Sequence, residues 1–599
     1  MKKIIMTLLV LLALSCNDDF FDQVPDDRLT FEETFSKKTT VEMYLTAVYN
    51  HVPSNFDQRY SASNSVPATG GSDEGEYVWS FHLGNYFNIG DWNPTTGHVN
   101  TLWSNFYQAI RSASTFMLNV NKCQDCTPTD IEKFTAEARV LRAFYYYNLI
   151  RLYGPVLIMP ETPVEADADL DALGLRRNTL DECVNYIISE LDKGIEVLSK
   201  YTQGKDEIGR MDDPFAMAIK EKTLLFYASP LFNGNSDYAT LVNAEGEPLI
   251  PQNYDVNKWK MAADVAKEFI NTYVPHTFDL YKEYDENGTY DPYLSCRNVM
   301  FENLNEEMIF ARLRGGNSHF YECTPYHLGY PSEVRGGGGL SPTQEMVDAY
   351  FMANGRSIDD PLSGYQETGF KDYQAPFDFE SRSTFNQWVG REPRFYVGIT
   401  YNNSLWIDRT YGDVITTTWY AGNSGKQAGA NDYPPTGYII RKFLPPQHWK
   451  DAQGSTNIPY LRLAEIYLDY AEALNEYDPG NPDILKYLNL IRERAGIAEY
   501  GEDLPVPSGQ EEMREAIWKE RRVELAFESV RYFDVRRWKI AEEVLAGPFH
   551  SMDINAKEEE NFYNKIVFEQ RIFSKNHYLW PIPQDELNSN PELIQNTGW

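Results

Sequence analysis

Basic residues, cysteines and long apolar runs are all scarce in this chain. Of its 599 residues, 54 are Lys or Arg and 88 are Asp or Glu, which gives a formal net charge of −34. A nucleic-acid-binding surface needs clustered cations that displace counterions from phosphates, so this charge balance argues against a nucleic-acid partner. Six Cys in a chain of this length are too few for a fold that depends on a disulfide framework.

One apolar run stands out at the N-terminus. It covers Ile4 to Leu14, follows two lysines, and has about half the length that a membrane-spanning helix needs. A basic start and a short apolar run are typical of a secretory signal. A small residue, Ser15, directly precedes Cys16, which is what lipoprotein signal cleavage requires. We therefore predict a signal peptide over residues 1–15 and lipidation of Cys16. The alternative is an ordinary signal peptide with an incidental Cys.

The pair Cys123 and Cys126 has the spacing of a redox motif or of half a zinc site. A second such pair or a nearby His pair is missing from the sequence, so we do not expect zinc. A short-loop disulfide and two free thiols both remain open. We expect neither a cofactor nor a metal ion in this protein.

The chain divides by composition into three parts of one predicted domain, residues 16–599. The part before residue 230 is rich in helical patterns, and so is the part from 446 to 599. The segment 231–445 between them is rich in Gly, Pro, Asn and Tyr and has few long periodic stretches. Because long irregular connections usually carry function, we expect this central part to bind the ligand.

Apolar residues at helical spacing predict several helices. The clearest covers about 129–153, with Thr129 and Glu132 in a capping-box spacing at its start and Gly154 at its end. Apolar residues at the same spacing predict helices at 179–199, 214–229, 258–273, 461–475 and 482–496. Helical hairpins that each leave an apolar face for the next suggest tetratricopeptide-like stacking. The predicted fold class is mostly α, a scaffold of helical pairs with long irregular loop insertions and few short strands.

Five stretches in order along the chain form a recognisable set of motifs. They cover residues 136–154, 342–348, 462–475 with 491–497, 520–538, and a tail that contains 579–583 and 590–599. Together with the lipoprotein-like N-terminus, these stretches resemble the SusD/RagB family of outer-membrane nutrient-binding lipoproteins. The resemblance spans nearly the whole mature chain.

The resemblance implies a fold and a function. It implies one mostly α-helical domain built on four tetratricopeptide-like pairs, which caps a SusC-type TonB-dependent transporter. It implies binding of oligosaccharides, or of peptides as in the RagB branch, without catalysis. It also implies a lipid-anchored, surface-exposed location at the outer membrane. The acidic residues after Cys16 agree with that location, because they resemble a surface-export tag of some outer-membrane lipoproteins.

The Arg and Glu residues within the motifs could be mistaken for an active site. Arg521, Glu524, Glu528 and Arg531 follow one another at spacings of three and four residues, which favours ion pairs along one helix face. Buried Arg–Glu networks specify how helices pack. We therefore interpret these clusters, including Arg139 and Arg142, as structural.

Ligand contacts are expected in loops that mix aromatic and polar residues. The C–H faces of a sugar stack on aromatic rings, and its hydroxyls take hydrogen bonds from polar side chains. In the segment 77–98 the predicted contacts are Trp79, Tyr86, Asp91, Trp92 and Asn93. Of these, Trp92 and Tyr86 are favoured. In the segment 317–335 they are Asn317, His319, Tyr321, Tyr326 and Arg335. The alternative is that most of these rings pack beneath their loops.

Two further features of the central part bear on the ligand. The four glycines at 336–339 allow the backbone to approach a ligand or simply turn the chain. Trp388, Trp406 and Trp419 are weaker candidates for contacts. The strongly negative net charge disfavours sulfated or uronate ligands, unless a local Arg patch reverses that effect.

The sequence motifs of three enzyme classes are incomplete or absent in this chain. The run 422–426 lacks the last Gly of a serine-hydrolase elbow, the P-loop pattern is incomplete, and no His-Glu-x-x-His sequence occurs. A helical glycoside hydrolase stays an alternative because it needs only two suitably spaced carboxylates. A second alternative is a tetratricopeptide scaffold that binds a protein.

Overall fold

The computed structural model describes residues 30–54, 65–164, 175–202, 209–314, 318–446 and 456–599. The predicted signal peptide and the predicted lipidation site Cys16 lie outside the described residues, and so does Asn317.

Long helices dominate both ends of the described chain. In chain order the helices are α1 (Phe31–Thr34), α2 (Lys38–Tyr49), α3 (Leu83–Asn88), α4 (Gly97–Asn119), α5 (Pro128–Tyr153), α6 (Leu180–Leu198), α7 (Asp213–Ala228), α8 (Asn257–Tyr273), α9 (Pro292–Asn298), α10 (Ser318–Cys323), α11 (Gln344–Ala349), α12 (Pro393–Gly398), α13 (Lys426–Gly429), α14 (Leu463–Tyr477), α15 (Pro482–Ala495), α16 (Gly509–Glu524), α17 (Arg531–Arg537), α18 (Ala541–Val544), α19 (Glu559–Phe562) and α20 (Gln584–Ser589). Within the described ranges, no helix is both long enough and apolar enough to span a membrane.

The strands are short and pair two by two. They are β1 (Gly75–Tyr77), β2 (Met308–Arg314), β3 (Leu340–Pro342), β4 (Phe370–Tyr373), β5 (Arg382–Phe385), β6 (Ile399–Thr400), β7 (Ser404–Leu405), β8 (Ile415–Thr416), β9 (Ile439–Ile440), β10 (Thr456–Arg462), β11 (Gly547–Met552) and β12 (Lys565–Arg571). All the described pairs are antiparallel: β1 with β3, β2 with β10, β4 with β5, β6 with β9, β7 with β8, and β11 with β12.

The long helices stack in sequence order, which confirms the predicted scaffold. Helix α4 packs against α5, α5 against α6, α6 against α7, and α7 against α8; α8 then packs against α14, which contacts both α15 and α16. The six helices predicted from periodicity all occur, with ends within two residues of the predicted ones. Stacking of this kind buries each apolar face against the next hairpin.

The start of α5 corrects one prediction. Its N-cap is Thr127, whose side chain accepts from the Asp130 backbone N–H at 3.1 Å while the Asp130 carboxylate accepts from the Thr127 N–H at 2.9 Å. The capping box predicted at Thr129 and Glu132 was therefore wrong by two residues. Pro128 explains the shift, because proline is favoured in the first turn, where its missing N–H leaves no donor unpaired.

Buried ion pairs connect the motif segments to one another. Arg521 pairs with Asp469 at 2.6 Å and with Asp534 at 2.6 Å, and Arg531 pairs with Asp73. Glu524 accepts from Arg394 of α12. The interpretation of these residues as helix-face pairs at spacings of three and four was therefore wrong. Their partners lie on other elements, and the network holds those elements together.

Candidate functional site

The short sheet formed by β1 and β3 brings two of the predicted contact segments together. Tyr77 lies opposite Leu340, and the Val78 N–H donates to the Gly339 carbonyl at 2.9 Å. The loop that begins at β1 therefore runs beside the loop that ends at β3. Two predicted contact residues, Trp79 and Tyr321, become neighbours as a result.

Asp432 links the rings of Trp79 and Tyr321. The indole Nε1 of Trp79 donates to Asp432 Oδ1 at 2.9 Å, and the Tyr321 hydroxyl donates to Asp432 Oδ2 at 2.8 Å. The two rings are nearly parallel, with 21° between their planes and 6.4 Å between their centroids. Trp79 is 7% exposed and Tyr321 is half-buried. One carboxylate therefore fixes both rings, and Tyr321 is the more accessible of the two.

The glycine run packs against these rings. A Cβ on Gly337 would lie 2.6 Å from Cε1 of Tyr321, and a Cβ on Gly339 would lie 2.6 Å from Cη2 of Trp79. Real Cβ atoms do not approach other atoms that closely, so glycine is needed at both positions. Packing against these two rings, which was not among the predicted alternatives, explains the glycines at 337 and 339. Approach of this backbone to a ligand stays a prediction.

Two more tyrosines lie beside Gly429, and one of them, Tyr433, directly follows Asp432 in the chain. The Arg335 guanidinium lies 4.9 Å from the ring centroid of Tyr326, and its Nε donates to the Tyr326 carbonyl at 3.1 Å. A Cβ on Gly429 would lie 3.7 Å from Cγ of Tyr326 and 3.5 Å from Cβ of Tyr433, so both tyrosines border this glycine. Both are half-buried. We call the following set the aromatic site: Trp79, Tyr321, Tyr326, Arg335, Asp432 and Tyr433.

A buried histidine holds the backbone beside Tyr326. His327 has φ +46°, and its N–H donates to Ser424 Oγ at 3.1 Å. Its ring nitrogens contact the Val334 carbonyl at 2.8 Å and Thr416 Oγ1 at 2.9 Å. Burial lowers the pKa of His327 to about 4, so the ring is neutral at pH 7. These contacts fix the backbone at His327, directly after the tyrosine, and so restrict where the Tyr326 ring can lie.

The structure places the other predicted contacts elsewhere. His319 is on α10 with Tyr321, but its ring packs against Phe443 at 5.7 Å and lies near Cys323 Sγ. Tyr86 of α3 is 41% exposed, and Asp91 is exposed on the loop that follows this helix. The exposed Asn93 accepts the Thr95 N–H at 2.8 Å and so closes a turn. The role of these residues in binding stays a prediction.

Trp92 lies in the core, and its prediction as a contact is corrected. It is 4% exposed and packs among the rings of Phe87 at 4.3 Å, Trp599 at 4.7 Å and His577 at 5.2 Å. A ring covered in this way offers no face to a sugar. Two of the central tryptophans are likewise buried, Trp388 and Trp406, each 0% exposed. Trp419 is half-buried.

The substitution Trp92→Phe tests this correction. We expect it to lower the free energy of unfolding by about 1–2 kcal/mol, because the smaller ring leaves a void among its neighbours. Ligand affinity should not change. Thermal denaturation and titration with a bound saccharide would measure the two effects, and a large loss of affinity at unchanged stability would return Trp92 to the site.

Cys123 and Cys126 form a disulfide, which settles the alternatives left open by their spacing. Their sulfurs are bonded to each other, so neither thiolate is available to a metal ion. The loop between them contacts the N-terminal helices, since the Gln124 N–H donates to the Ser36 carbonyl at 3.0 Å and Asp125 accepts the Lys38 N–H at 2.6 Å. The pair is therefore part of the scaffold.

Asp432 and Tyr433 are the site residues that sequence reasoning missed. They lie more than 100 residues after Tyr321, in a segment with no helical or strand periodicity. The available signal was the clustering of Gly, Asn and Tyr over 420–438, which is typical of a functional loop.

Two family models match the chain. The model described as the SusD family matches residues 306–599, and the model described as starch-binding associating with outer membrane matches residues 19–207.

Several proteins are similar to the chain over most of its length. SusD-like protein P2 of Formosa agariphila is 25% identical over 517 residues, which cover 86% of this chain and 82% of that protein. A SusD-like protein of Bacteroides ovatus is 23% identical over 554 residues, which cover 90% and 82%.

Solved structures share the fold. A SusD-like protein of Bacteroides fragilis is 23% identical, with a TM-score of 0.73 and coverage of 95% of this chain and 99% of that one. A SusD-like carbohydrate binding protein of the same species is 18% identical, with a TM-score of 0.69 and coverage of 94% and 100%. At these identities the likeness shows the fold alone.

Proposed function

The chain belongs to the SusD/RagB family, and from that membership we propose that it is a cell-surface lipoprotein that binds oligosaccharides and delivers them to a SusC-type transporter. The nutrient-binding character and the outer-membrane association follow from the family descriptions. The glycan, the lipid anchor at Cys16 and the transporter partner are the proposed parts.

The observation that carries the proposal is the aromatic site. Its half-buried tyrosine rings supply flat apolar faces, and Asp432 and Arg335 supply hydrogen-bonding groups at their edges. This pairing of ring faces with polar groups is what a pyranose needs, because its C–H face is apolar and its rim carries hydroxyls. Tyr321, Tyr326 and Tyr433 are the proposed stacking residues.

Binding without hydrolysis is supported by the carboxylate of this site. A glycosidase needs two carboxyl groups about 5–10 Å apart, one of them free to move a proton. The aromatic site contains one carboxylate, Asp432, and both of its oxygens accept hydrogen bonds from ring donors. We therefore propose that Asp432 positions the two rings and takes no part in catalysis.

Replacing Tyr326 by alanine should weaken saccharide binding about tenfold, which corresponds to about 1.4 kcal/mol. The loss is expected because one stacking face disappears while the fold keeps its core. The measurement is calorimetric titration of a glycan and peptide panel into protein that lacks residues 1–16. Tyr254→Ala, which removes a tyrosine ring that is 60% exposed, is the matched control and should not change affinity.

Three results would contradict the proposed function. They are equal losses in Tyr326→Ala and Tyr254→Ala, binding of peptides in place of saccharides, and release of reducing ends from a bound glycan. The transporter partner is tested separately, by co-purification of the full-length protein with a β-barrel from outer membranes.

A further inference from the structure

Cations gather beside the tyrosines of the aromatic site. Arg335 lies over the Tyr326 ring, and the Lys426 ammonium lies 5.4 Å from the ring centroid of Tyr433. Both cations are half-buried. In a chain with 88 acidic and 54 basic residues, two such neighbours at a candidate ligand site call for an explanation.

A third cation lies next to them. The ammonium of Lys557 is 3.0 Å from the ring centroid of Tyr420, and the Tyr420 carbonyl accepts a backbone hydrogen bond from α13, the helix that begins at Lys426. The two lysines belong to one surface, because Lys426 Nζ donates to Asn555, two residues before Lys557.

Among the residues that the structure describes, these cations have no ion-pair partner. Arg335 donates through Nε to a carbonyl, and Lys426 donates to an amide oxygen. In the part of the chain that the structure describes, no carboxylate lies within ion-pairing distance of Arg335, Lys426 or Lys557, whereas Lys565 of β12 pairs with Asp348 at 2.9 Å. The guanidinium Nη groups and the two ammonium groups therefore keep donors for a ligand.

Carboxylates also lie nearby, but among the described residues none is within ion-pairing distance of these cations. Asp432 directs both oxygens at neutral ring donors, which orients the carboxylate without removing its charge, and Asp553 accepts the Asn555 N–H at 3.0 Å. The exposed residues Glu558 and Glu560 follow Lys557 and offset its charge in part. Arg335 and Lys426 are consequently the two cations that matter most.

We propose that the ligand of the aromatic site is an acidic oligosaccharide, whose carboxylate or sulfate groups bind Arg335 and Lys426 while its rings stack on the tyrosines. This rests on the proposed function and narrows its substrate class. A guanidinium fits the planar fork of an oxyanion, and a charge-assisted hydrogen bond is about twice as strong as a neutral one. The net charge of −34 does not prevent binding, because charges beyond about 8 Å are largely screened at physiological salt. The local cations therefore favour acidic ligands, whereas the net charge alone predicts that such ligands are disfavoured.

The test compares saccharides that differ in charge but share a backbone. Oligogalacturonate and its methyl ester form the carboxylate arm, and dextran sulfate and dextran oligosaccharides form the sulfate arm. We expect the charged member of at least one arm to bind at least tenfold more tightly than its neutral partner, with an advantage that shrinks as salt rises. The arm that shows this identifies the acidic group.

Variants separate this inference from the proposed function. Arg335→Gln and Lys426→Gln should each weaken the charged ligand at least fivefold, and Arg335→Lys should retain part of the affinity. Lys486→Gln is the matched control, since Lys486 also lies over a tyrosine, 4.7 Å from the Tyr487 centroid, but on α15. Equal or tighter binding of the neutral partners, still lost in Tyr326→Ala, would overturn the acidic ligand and leave the proposed function standing. Binding of no saccharide at all would overturn both.

Discussion

Replacing Arg462 by methionine is expected to lower the free energy of unfolding by about 3–5 kcal/mol, the range typical of removing one partner from a buried ionic network. Arg462 is 1% exposed and lies where β10 meets α14. Its guanidinium pairs with Glu307 at 2.6 Å, Glu524 at 2.7 Å and Glu528 at 2.7 Å. Removing the cation leaves an excess of negative charge in the core, where water cannot solvate it.

The remaining cations cannot replace Arg462. Arg494 still pairs with Glu307 and Glu524, and Lys442 still pairs with Glu528, but each already has those partners in the native protein. Urea denaturation followed by circular dichroism would measure the loss. Lys519→Met is the control, because its pair with Glu515 is exposed and 3.7 Å long, and we expect it to change stability by less than about 0.5 kcal/mol.

The double substitution Arg462→Met with Glu528→Gln sharpens the test. It removes the excess charge together with the cation, so it should recover part of the stability lost in Arg462→Met. Similar stabilities for Arg462→Met and Lys519→Met would show that the network does not hold the scaffold. Loss of saccharide binding in Arg462→Met at unchanged stability would instead indicate that the motif arginines take part in ligand binding.

Local signals explain why the helical scaffold could be predicted. The apolar spacing that predicts helices at about 129–153 and 179–199 is read within a single helix, and α5 and α6 bear both predictions out. The ion pairs were not predictable in the same way. Arg521 has acidic residues at helical spacing in its own segment, yet its partners Asp469 and Asp534 come from other elements. Spacing shows which residues can meet on one helix, not which helices meet.

The candidate site was partly predictable for a related reason. Aromatic and polar composition pointed to Trp79, Tyr321, Tyr326 and Arg335, which the structure brings together. The same composition also pointed to Trp92, because a loop composition does not say which rings turn inward. The partner Asp432 comes from a loop more than 100 residues after Tyr321, and no local pattern encodes its approach to Trp79 and Tyr321.

Asp73 and Glu74 are adjacent buried residues just before β1. Replacing each of them by its amide is expected to change the stability of the protein in opposite directions. Glu74 is 0% exposed; one of its oxygens accepts the Phe527 N–H at 2.9 Å, and the other has no hydrogen-bond partner among the described residues. Burial raises the pKa of Glu74 to about 8. The folded protein therefore holds a proton on Glu74 that the unfolded chain loses above its ordinary pKa of 4.5. The contribution of Glu74 must make the protein less stable as pH rises from about 4.5 to 8.

Glu74→Gln removes that dependence, because the amide keeps the acceptor for Phe527 and does not titrate. Its stability advantage over the native protein should be near zero at pH 4.5 and grow by up to about 1.4 kcal/mol per pH unit toward pH 8. Urea midpoints at a series of pH values would measure this growth. An advantage that is constant with pH, or that shrinks toward pH 8, would show that Glu74 is ionised in the folded protein.

Asp73→Asn is the matched change one residue earlier, and we expect the opposite sign. Burial alone would raise the pKa of Asp73, but pairing with Arg522 at 2.9 Å and Arg531 at 2.8 Å holds that pKa well below its ordinary value. The stabilisation from an ionised Asp73 is complete above about pH 4 and is lost only in stronger acid. Asp73→Asn should therefore destabilise the protein by about 3 kcal/mol throughout pH 5–8, because it leaves the buried Arg531 and the half-buried Arg522 without their anion. Since these two carboxylates tie β1 to the segment that bears Phe527 and Arg531, the pair also tests whether that tie positions Trp79. Asp73→Asn, and not Glu74→Gln, should weaken saccharide binding under conditions where both variants remain folded.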